Sequence, residues 1–393
     1  MRRDRAFDYD GRMKQLRPGV SALFSSFCAA ALFVSAACSS GNTAPLADGG
    51  TGTSGGGGGQ SCEAAPVLGK ADFCKACTLS PNASPNACRA PRTISACCTY
   101  VQPPTQELVR GTGLNLHSSS DPTINLGCLD TPGELGTSKN VTLNGFLRVF
   151  SSGGDSAGVR IEIFREGTLG ALGALVDSAV ITTSDDAKNP PLMPKPDWLK
   201  KCPQGGCTFR GFSYKNVPTE TPLIIKTSDA GDGSSWAQFY DYNVFFANGA
   251  VVTGDIVNYD PSAVAATDIN TVASAAGGFT PAPDKGLIAG EVHDCGDVRL
   301  SGATVDTDVA HQGDMFYFGE NESDPLPDKS RGSLGTSKLG LFGTLNVATG
   351  TPIKISAVGK QNGQTILLGT YTVQTFPGAV TALSFRGRRP WQK

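Results

Sequence analysis

The sequence predicts an all-β protein: two tandem Greek-key β-sandwich modules joined by a short helix, behind a Cys-rich N-terminal segment. Three observations carry this. From about residue 104, short runs rich in β-branched and aromatic residues alternate with Gly, Asp, Asn and Pro. The 393 residues include 49 Gly and 25 Pro, so turns are frequent. A motif also occurs twice. Phe212-x-x-x-Asn216-Val217-x-Thr219-x-Thr221-Pro222-Leu223 returns 130 residues later as Phe342-x-x-x-Asn346-Val347-x-Thr349-x-Thr351-Pro352-Ile353.

The strands follow in order. Residues 141–150 alternate in part and 159–164 alternate cleanly, as a half-buried strand does. Leu223-Ile-Ile, Val244-Phe-Phe, Val251-Val, Ile353-Lys-Ile and Ile366-Leu-Leu continue the pattern. Upstream of the repeated motif, Leu143-x-Gly145 matches Ile288-x-Gly290 at an offset of 145. The first copy therefore carries about fifteen extra residues, which fit the Pro-rich stretch 189–207. Between the copies lies a helix: Asp260 as its cap, Pro261 at its first position, Gly277 at its end, with Ala265, Ile269, Val272 and Ala276 at helical spacing. The domain plan is 102–256 for the first sandwich with an N-terminal extension, 257–283 for helix and linker, and 284–393 for the second sandwich.

The N-terminal hundred residues read as an address. Residues 20–37 are uncharged and apolar to small, preceded by Lys14 and Arg17, the pattern of a secretory signal over 1–37. Translation from Met13 gives the tidier signal. Val34-Ser35-Ala36-Ala37-Cys38 resembles a bacterial lipobox, with Cys38 as the lipidated residue; Ser35 departs from the favoured Leu. Residues 38–61 then supply the anchor Cys and a Gly/Ser-rich tether. The resemblance implies attachment to a membrane through the lipid, at the outer membrane or cell surface, because Ser39 rather than Asp follows the Cys; the alternative is ordinary cleavage, giving a secreted or periplasmic protein.

Twelve Cys are present. Apart from Cys28 in the signal and Cys38, ten remain: Cys62, Cys74, Cys77, Cys88, Cys97, Cys98, Cys128, Cys202, Cys207 and Cys295. An even number in an exported chain reads as a disulfide framework. Six crowd into the stapled segment 62–101, whose few large apolar residues cannot build a core. Their pairing stays open. Zinc on Cys74-x-x-Cys77 with Cys97-Cys98 is the weaker alternative, because the second pair is adjacent rather than spaced.

Each copy of the repeat resembles a carboxypeptidase regulatory-like (transthyretin-like) domain. In the second copy Gly290-Glu-Val292-His-Asp294 is similar to the family's opening strand, Leu300-Ser-Gly302-Ala303-Thr-Val305 to its next strand, and Gly340-Leu-Phe342 with Asn346-Val347 and residues 351–355 to its closing hairpin. In the first copy Gly158-Val-Arg-Ile161 and Phe212-Ser-Tyr-Lys-Asn216-Val217-Pro218 do the same. The resemblance implies a seven-stranded sandwich that folds on its own and carries no catalysis. Phe212 and Phe342 are then core residues, and the Asn-Val-x-Thr stretch suits a hairpin turn.

Chemistry is sparse. The net charge is −2 with no basic block, which argues against a dedicated nucleic-acid binder. With three His, no metal site or cofactor is expected. His293-Asp294-Cys295 is not a nucleophile with its base: neighbours on a strand face opposite ways, so Cys295 reads as a disulfide half and His293 as a surface or edge residue. Asp229-Ala-Gly-Asp232-Gly233 lacks calcium-loop spacing and reads as a turn. Trp236, Tyr240 and Tyr242 form a candidate aromatic surface for sugar or peptide, against the plainer reading that they fill a core. The functional expectation is a non-enzymatic, lipid-anchored cell-envelope protein with a structural or adhesive role toward an envelope polymer or protein; the alternative is an accessory subunit of a secreted hydrolase.

Overall fold

The computed structural model describes residues 101–111, 123–130, 133–150, 155–181, 210–231, 233, 235–252, 254–309, 311–321 and 325–391. The signal, Cys38, the tether, the stapled segment with its six Cys, and Cys202 with Cys207 lie outside them. The described chain is an all-β sandwich fold. In chain order its elements are β1 (Val109–Arg110), α1 (Gly127–Asp130), β2 (Asn140–Val149), β3 (Val159–Glu166), β4 (Leu172–Val180), β5 (Arg210–Pro218), β6 (Leu223–Asp229), β7 (Phe239–Val244), β8 (Ile256–Asn258), β9 (Ser262–Ala263) and α2 (Ala266–Gly277). The second half adds β10 (Gly286–His293), β11 (Leu300–Ser301), β12 (Thr304–Thr307), β13 (Gln312–Tyr317), β14 (Leu341–Val347), β15 (Pro352–Gln361), β16 (Gln364–Gln374) and β17 (Val380–Arg386).

The duplication is visible strand by strand. In the first half β2 pairs antiparallel with β5 and parallel with β8; in the second half β10 pairs antiparallel with β14 and parallel with β17. Gly145 pairs with Phe212, and Gly290 with Phe342. A Cβ on either glycine would collide with the carbonyl oxygen of the parallel neighbour, Tyr259 or Leu383. It would also sit 2.8 or 2.7 Å from the ring of Phe212 or Phe342. Only glycine lets an aromatic ring lie flat across the strand there. Phe342 is fully buried and Phe212 nearly so, as expected for core residues.

The Asn of each repeat has a different role from the expected one. Asn216 and Asn346 adopt φ of 61° and 53° inside β5 and β14, opposite register shifts in β2 and β10. They make β-bulges, two residues facing one, which bend the strand before the turn begins. Asn enters this left-handed conformation more readily than most residues. Asn346 accepts from the Ala282 amide at 2.7 Å and donates to the Thr280 carbonyl at 3.1 Å.

The two halves share a sheet. The first half contributes β4-β3-β6-β7 and the second β17-β10-β14-β13, and parallel pairing of β7 with β17 fuses them into one eight-stranded sheet. The sheet β5-β2-β8 covers part of one face. Its core holds Val141, Leu143 and Leu147 against Val159, Ile161, Ile163, Leu223 and Ile225. The sheet β12-β15-β16 lies over the other face; Ile353, Ile355, Leu368 and Val373 pack with Ile288, Val292, Phe342 and Leu383. The helix α2 fills the remaining quarter, setting Ile269, Ala273 and Ala276 against Phe239, Leu287, Leu345, Val380 and Ala382.

Two boundaries shift from expectation. The helix starts at Ala266 and ends on Gly278, which is left-handed at φ 73°. Asp260 caps nothing helical: its carboxylate accepts from the Phe146 amide at 2.8 Å, and Ser262–Ala263 pairs with Arg148–Val149 instead. The N-terminal extension also crosses to the second sandwich. Val109 pairs with Ser301, the Leu108 amide donates to the Lys360 carbonyl at 2.8 Å, Thr304 Oγ1 donates to the Gln102 carbonyl at 2.5 Å, and the Gly363 amide donates to Glu107 at 2.8 Å. Leu108 is buried in the second core, and its Cγ approaches within 2.6 Å of where a Cβ on Gly359 would be. The Cys128–Cys295 disulfide then ties the extension to the end of β10 across 167 residues.

Replacing Gly290 by Ala should separate β10 from β17 and lower stability by about 3 kcal/mol, the upper range for an overpacked site; Gly145→Ala should act equally on β2. Phe342→Ala and Phe212→Ala should each cost about 3–5 kcal/mol. Thermal unfolding of the four variants checks the repeat: matched losses at matched positions are the expected outcome.

Candidate functional site at the seam between the halves

Strand alternation builds the site. On one face of the shared sheet β7 presents Phe239 and Asp241; β17 presents Val380, Ala382, Ser384 and Arg386; β10 presents Leu287, Ala289, Glu291 and His293. Helix α2 covers the apolar end of these rows. The polar end gathers the charges instead.

There the side chains form an alternating chain. Arg299 donates to Glu291 at 2.9 and 3.2 Å. Glu291 meets His293 Nε2 at 2.6 Å, and His293 Nδ1 meets Asp297 at 2.6 Å. Asp297 accepts from Arg386 Nε at 2.5 Å. Close to Arg386, Asp241 accepts from the Tyr259 hydroxyl at 2.5 Å. Arg389 reaches Asn243 on the same strand edge, and Asn243 donates to the Ser384 carbonyl.

Burial and charge oppose one another in this chain. Burial works against the ionised form of Glu291, but Arg299 and His293 outweigh it and hold its carboxyl well below the usual range. Asp297 is held low in the same way by Arg386 and His293. Burial also opposes a charge on His293, but its bonds to Asp297 and Glu291 win and raise its pKa. Asp241 has no such partner in contact, so burial pushes it up to about 6 despite the Tyr259 bond. Beyond the seam, burial raises Glu166, bonded by the Tyr371 hydroxyl at 2.6 Å, to about 7.

His293 is thus not the surface residue expected; only 6% of its side chain is exposed. Cys295 is a disulfide half, as expected, with Cys128. Tyr240 and Tyr242 are not a binding surface. β7 is buried on both faces, so Tyr240 stacks on Phe376 at 4.1 Å and Tyr242 donates to the Gly170 carbonyl at 2.8 Å. Trp236 is half-buried against the first core and bridges to Ala265. Asp229 closes a turn, accepting from the amides of Gly231, Ser235 and Trp236. Asp306, His311 and Thr344 line up at 3.0 and 2.9 Å in the order acid, imidazole, hydroxyl. Thr344 is fully buried in β14, which seals its hydroxyl from any substrate and makes the relay structural.

Among the described residues no group of three or more His, Cys, Asp or Glu is placed to hold a metal ion. Of the seam carboxylates, Glu291 and Asp297 are engaged by Arg299 and Arg386, and Asp241 by the Tyr259 hydroxyl. Sequence reasoning missed Glu291, Asp297, Arg299, Arg386, Asp241 and Tyr259. The one local signal was Glu291-x-His293, whose period of two sets both side chains on one face. Compared with known proteins, the chain matches no family model and no curated sequence.

The pH dependence of stability follows from the signs. The stabilisation from ionised Glu291 and Asp297 is present above ~4 and is lost as pH falls from there. That from charged His293 is complete below ~6.5 and is lost as pH rises through its raised pKa. Asp241 and Glu166 bind protons more tightly when folded, so stability also declines between ~4 and about 6 and 7 respectively. The thermal midpoint should peak near pH ~4–5 and decline toward pH 8, and Asp241→Asn should flatten the limb between about 4 and 6. Calorimetry across this range tests it; a midpoint that climbs from pH 5 to pH 8 contradicts the assignment.

Proposed function

We propose that the chain is an exported, lipid-anchored, non-enzymatic protein of the cell envelope with a structural or adhesive role, its two halves being carboxypeptidase regulatory-like sandwiches. The observation that carries the export reading is the Cys128–Cys295 disulfide, a long-range link of the kind that persists in oxidising compartments. The uncharged run before Cys38 and the Gly/Ser-rich stretch after it support an anchor and spacer. The continuous sheet supports a structural role, because it leaves no hinge between the halves. The partner is an envelope polymer or protein, and the anchor places the protein at the outer membrane or cell surface.

Lipid attachment contributes about 0.8 kcal/mol per buried CH₂, so several chains give a stable anchor. Cys38→Ala should therefore move the protein from the membrane to the soluble fraction of cells producing it. An unchanged membrane fraction rejects the anchor. Binding of the purified protein to isolated envelope polymers, with no second protein present, tests the adhesive role.

A further inference from the structure

Both ring nitrogens of His293 lie 2.6 Å from carboxylate oxygens, Nε2 from Glu291 and Nδ1 from Asp297. A neutral imidazole has a single N–H, so it can donate to one of the two and must turn a lone pair toward the other. Both contacts are satisfied together by the imidazolium, and 2.6 Å is the length of a charge-assisted bond.

Each carboxylate has one Arg as its second partner, but the two sit on different elements. Glu291 shares a strand and a face with His293 and keeps Arg299 as a second partner. Asp297 sits on the turn 294–298, with φ of 63°, a strained conformation for a residue other than glycine. Its other partner is Arg386 of β17. The remaining groups facing this chain are Asp241 on β7, Tyr259 after β8, Arg389 after β17 and, beyond them, Arg148 on β2. When the ring loses its proton it can donate to only one carboxylate, and Glu291 is the one fixed to the same strand.

That turn carries Cys295 and docks the N-terminal extension. Asp294 accepts from the Asn125 amide at 2.9 Å and from the Gly296 and Val298 amides, and the Cys295 amide donates to the Asn125 carbonyl at 2.8 Å. We propose that His293 is a proton-operated latch on the 294–298 turn, which carries Cys295: charged, it clamps the turn and holds the partly exposed Cys128–Cys295 link in place; neutral, it lets the turn swing and makes that link more accessible to reductants. The raised pKa of His293 keeps the latch closed at neutral pH and opens it on the alkaline side. This device stands independently of the anchor and of the adhesive role.

A water-soluble phosphine reports the opening. Phosphorus attacks one sulfur, the S–S bond breaks and the other sulfur leaves as a thiolate. Water then releases the second thiol with the phosphine oxide, so two electrons pass from phosphorus to sulfur. The full-length protein is exposed to the phosphine for timed intervals from pH 5.5 to 9 and alkylated. Peptides carrying Cys128 and Cys295 are quantified by mass spectrometry, and each rate is divided by that of an unstructured disulfide peptide in the same buffer. The ratio for the wild type should stay flat to about pH 6.5 and rise by about tenfold toward pH 9, the loss of one charged hydrogen bond. For His293→Gln the ratio should be high and flat throughout. Asp297→Asn, which keeps the imidazole, should behave likewise and serves if the first variant does not fold. A flat wild-type ratio, or an alkaline rise retained in either variant, overturns the latch.

Discussion

The parallel pairing of β7 with β17, Phe239 beside Val380 through Tyr242 beside Leu383, is the constraint on which the rest of this molecule depends. Each half taken alone presents a long strand edge with unpaired amides and carbonyls, a template for unwanted association. Joining these edges removes both from solvent. The join also buries β7 on its two faces, and this decides the fate of the aromatic run around it. Tyr240 and Tyr242 lie against the second core, beside Phe376 and the 167–171 loop, while Phe239 goes under α2. Their hydroxyls end on Gln238 and on the Gly170 carbonyl, so they bring polar tips into the core without leaving them unbonded.

The same join explains why charge is buried at all. Once β7, β17 and β10 run side by side, their outward rows form one surface, and α2 is long enough to cover its apolar end alone. The rows then continue into Asp241, Ser384, Arg386, Glu291 and His293, which must find partners among themselves and in the 294–299 turn. Desolvating such groups is costly, and their attraction offsets it only when the bonding is complete. The alternation of cation and anion from Arg299 to Arg386 meets that condition, whereas Asp241 in its tyrosine pocket does so only by holding its proton more tightly. A chain of this kind specifies register: a shift of β17 by one residue against β10 would turn Arg386 away from Asp297 and leave that buried guanidinium without its carboxylate.

What was legible in the sequence is what steric necessity writes locally. Gly145 and Gly290, Phe212 and Phe342, and Asn216 and Asn346 repeat because each has a backbone or packing role that few other residues fill. The duplication and the sandwich class follow from them. The strands that differ between copies were harder to see. Leu172–Val180 and Val380–Arg386 carry no clear strand signal, and Tyr240 and Tyr242 left a binding surface open beside the plainer core reading, which their burial bears out, because aromatic residues on both sides of a strand signal two-sided burial only when the second covering layer is known. The seam was not legible for a deeper reason. Its members come from residues 241 to 386, and nothing in the local spacing tells which edges of two sandwiches will meet. Asp260-Pro261 shows the converse error: a sound helix-start signal, overridden by a long-range bond to the Phe146 amide.

The path of the chain adds a further consequence. The described residues 101–111 and 123–130 belong with the second sandwich, the strands of the first run from β2 to β8, and the chain then returns through α2 to complete the second. The first half is in effect an insertion within the second. Closing a loop of 167 residues is entropically expensive, and the cost grows only slowly with length, so most of it is incurred as soon as the loop is long. The Cys128–Cys295 bond removes that cost from the folded balance by confining the unfolded chain, by about 3–5 kcal/mol in the chain-entropy picture. It does so at the point where the extension crosses from one half to the other, held there otherwise by a two-residue strand pair, Leu108 and a few hydrogen bonds. Weak local pairing thus becomes sufficient, because the covalent link keeps the extension beside its groove while the first sandwich forms between the two cysteines.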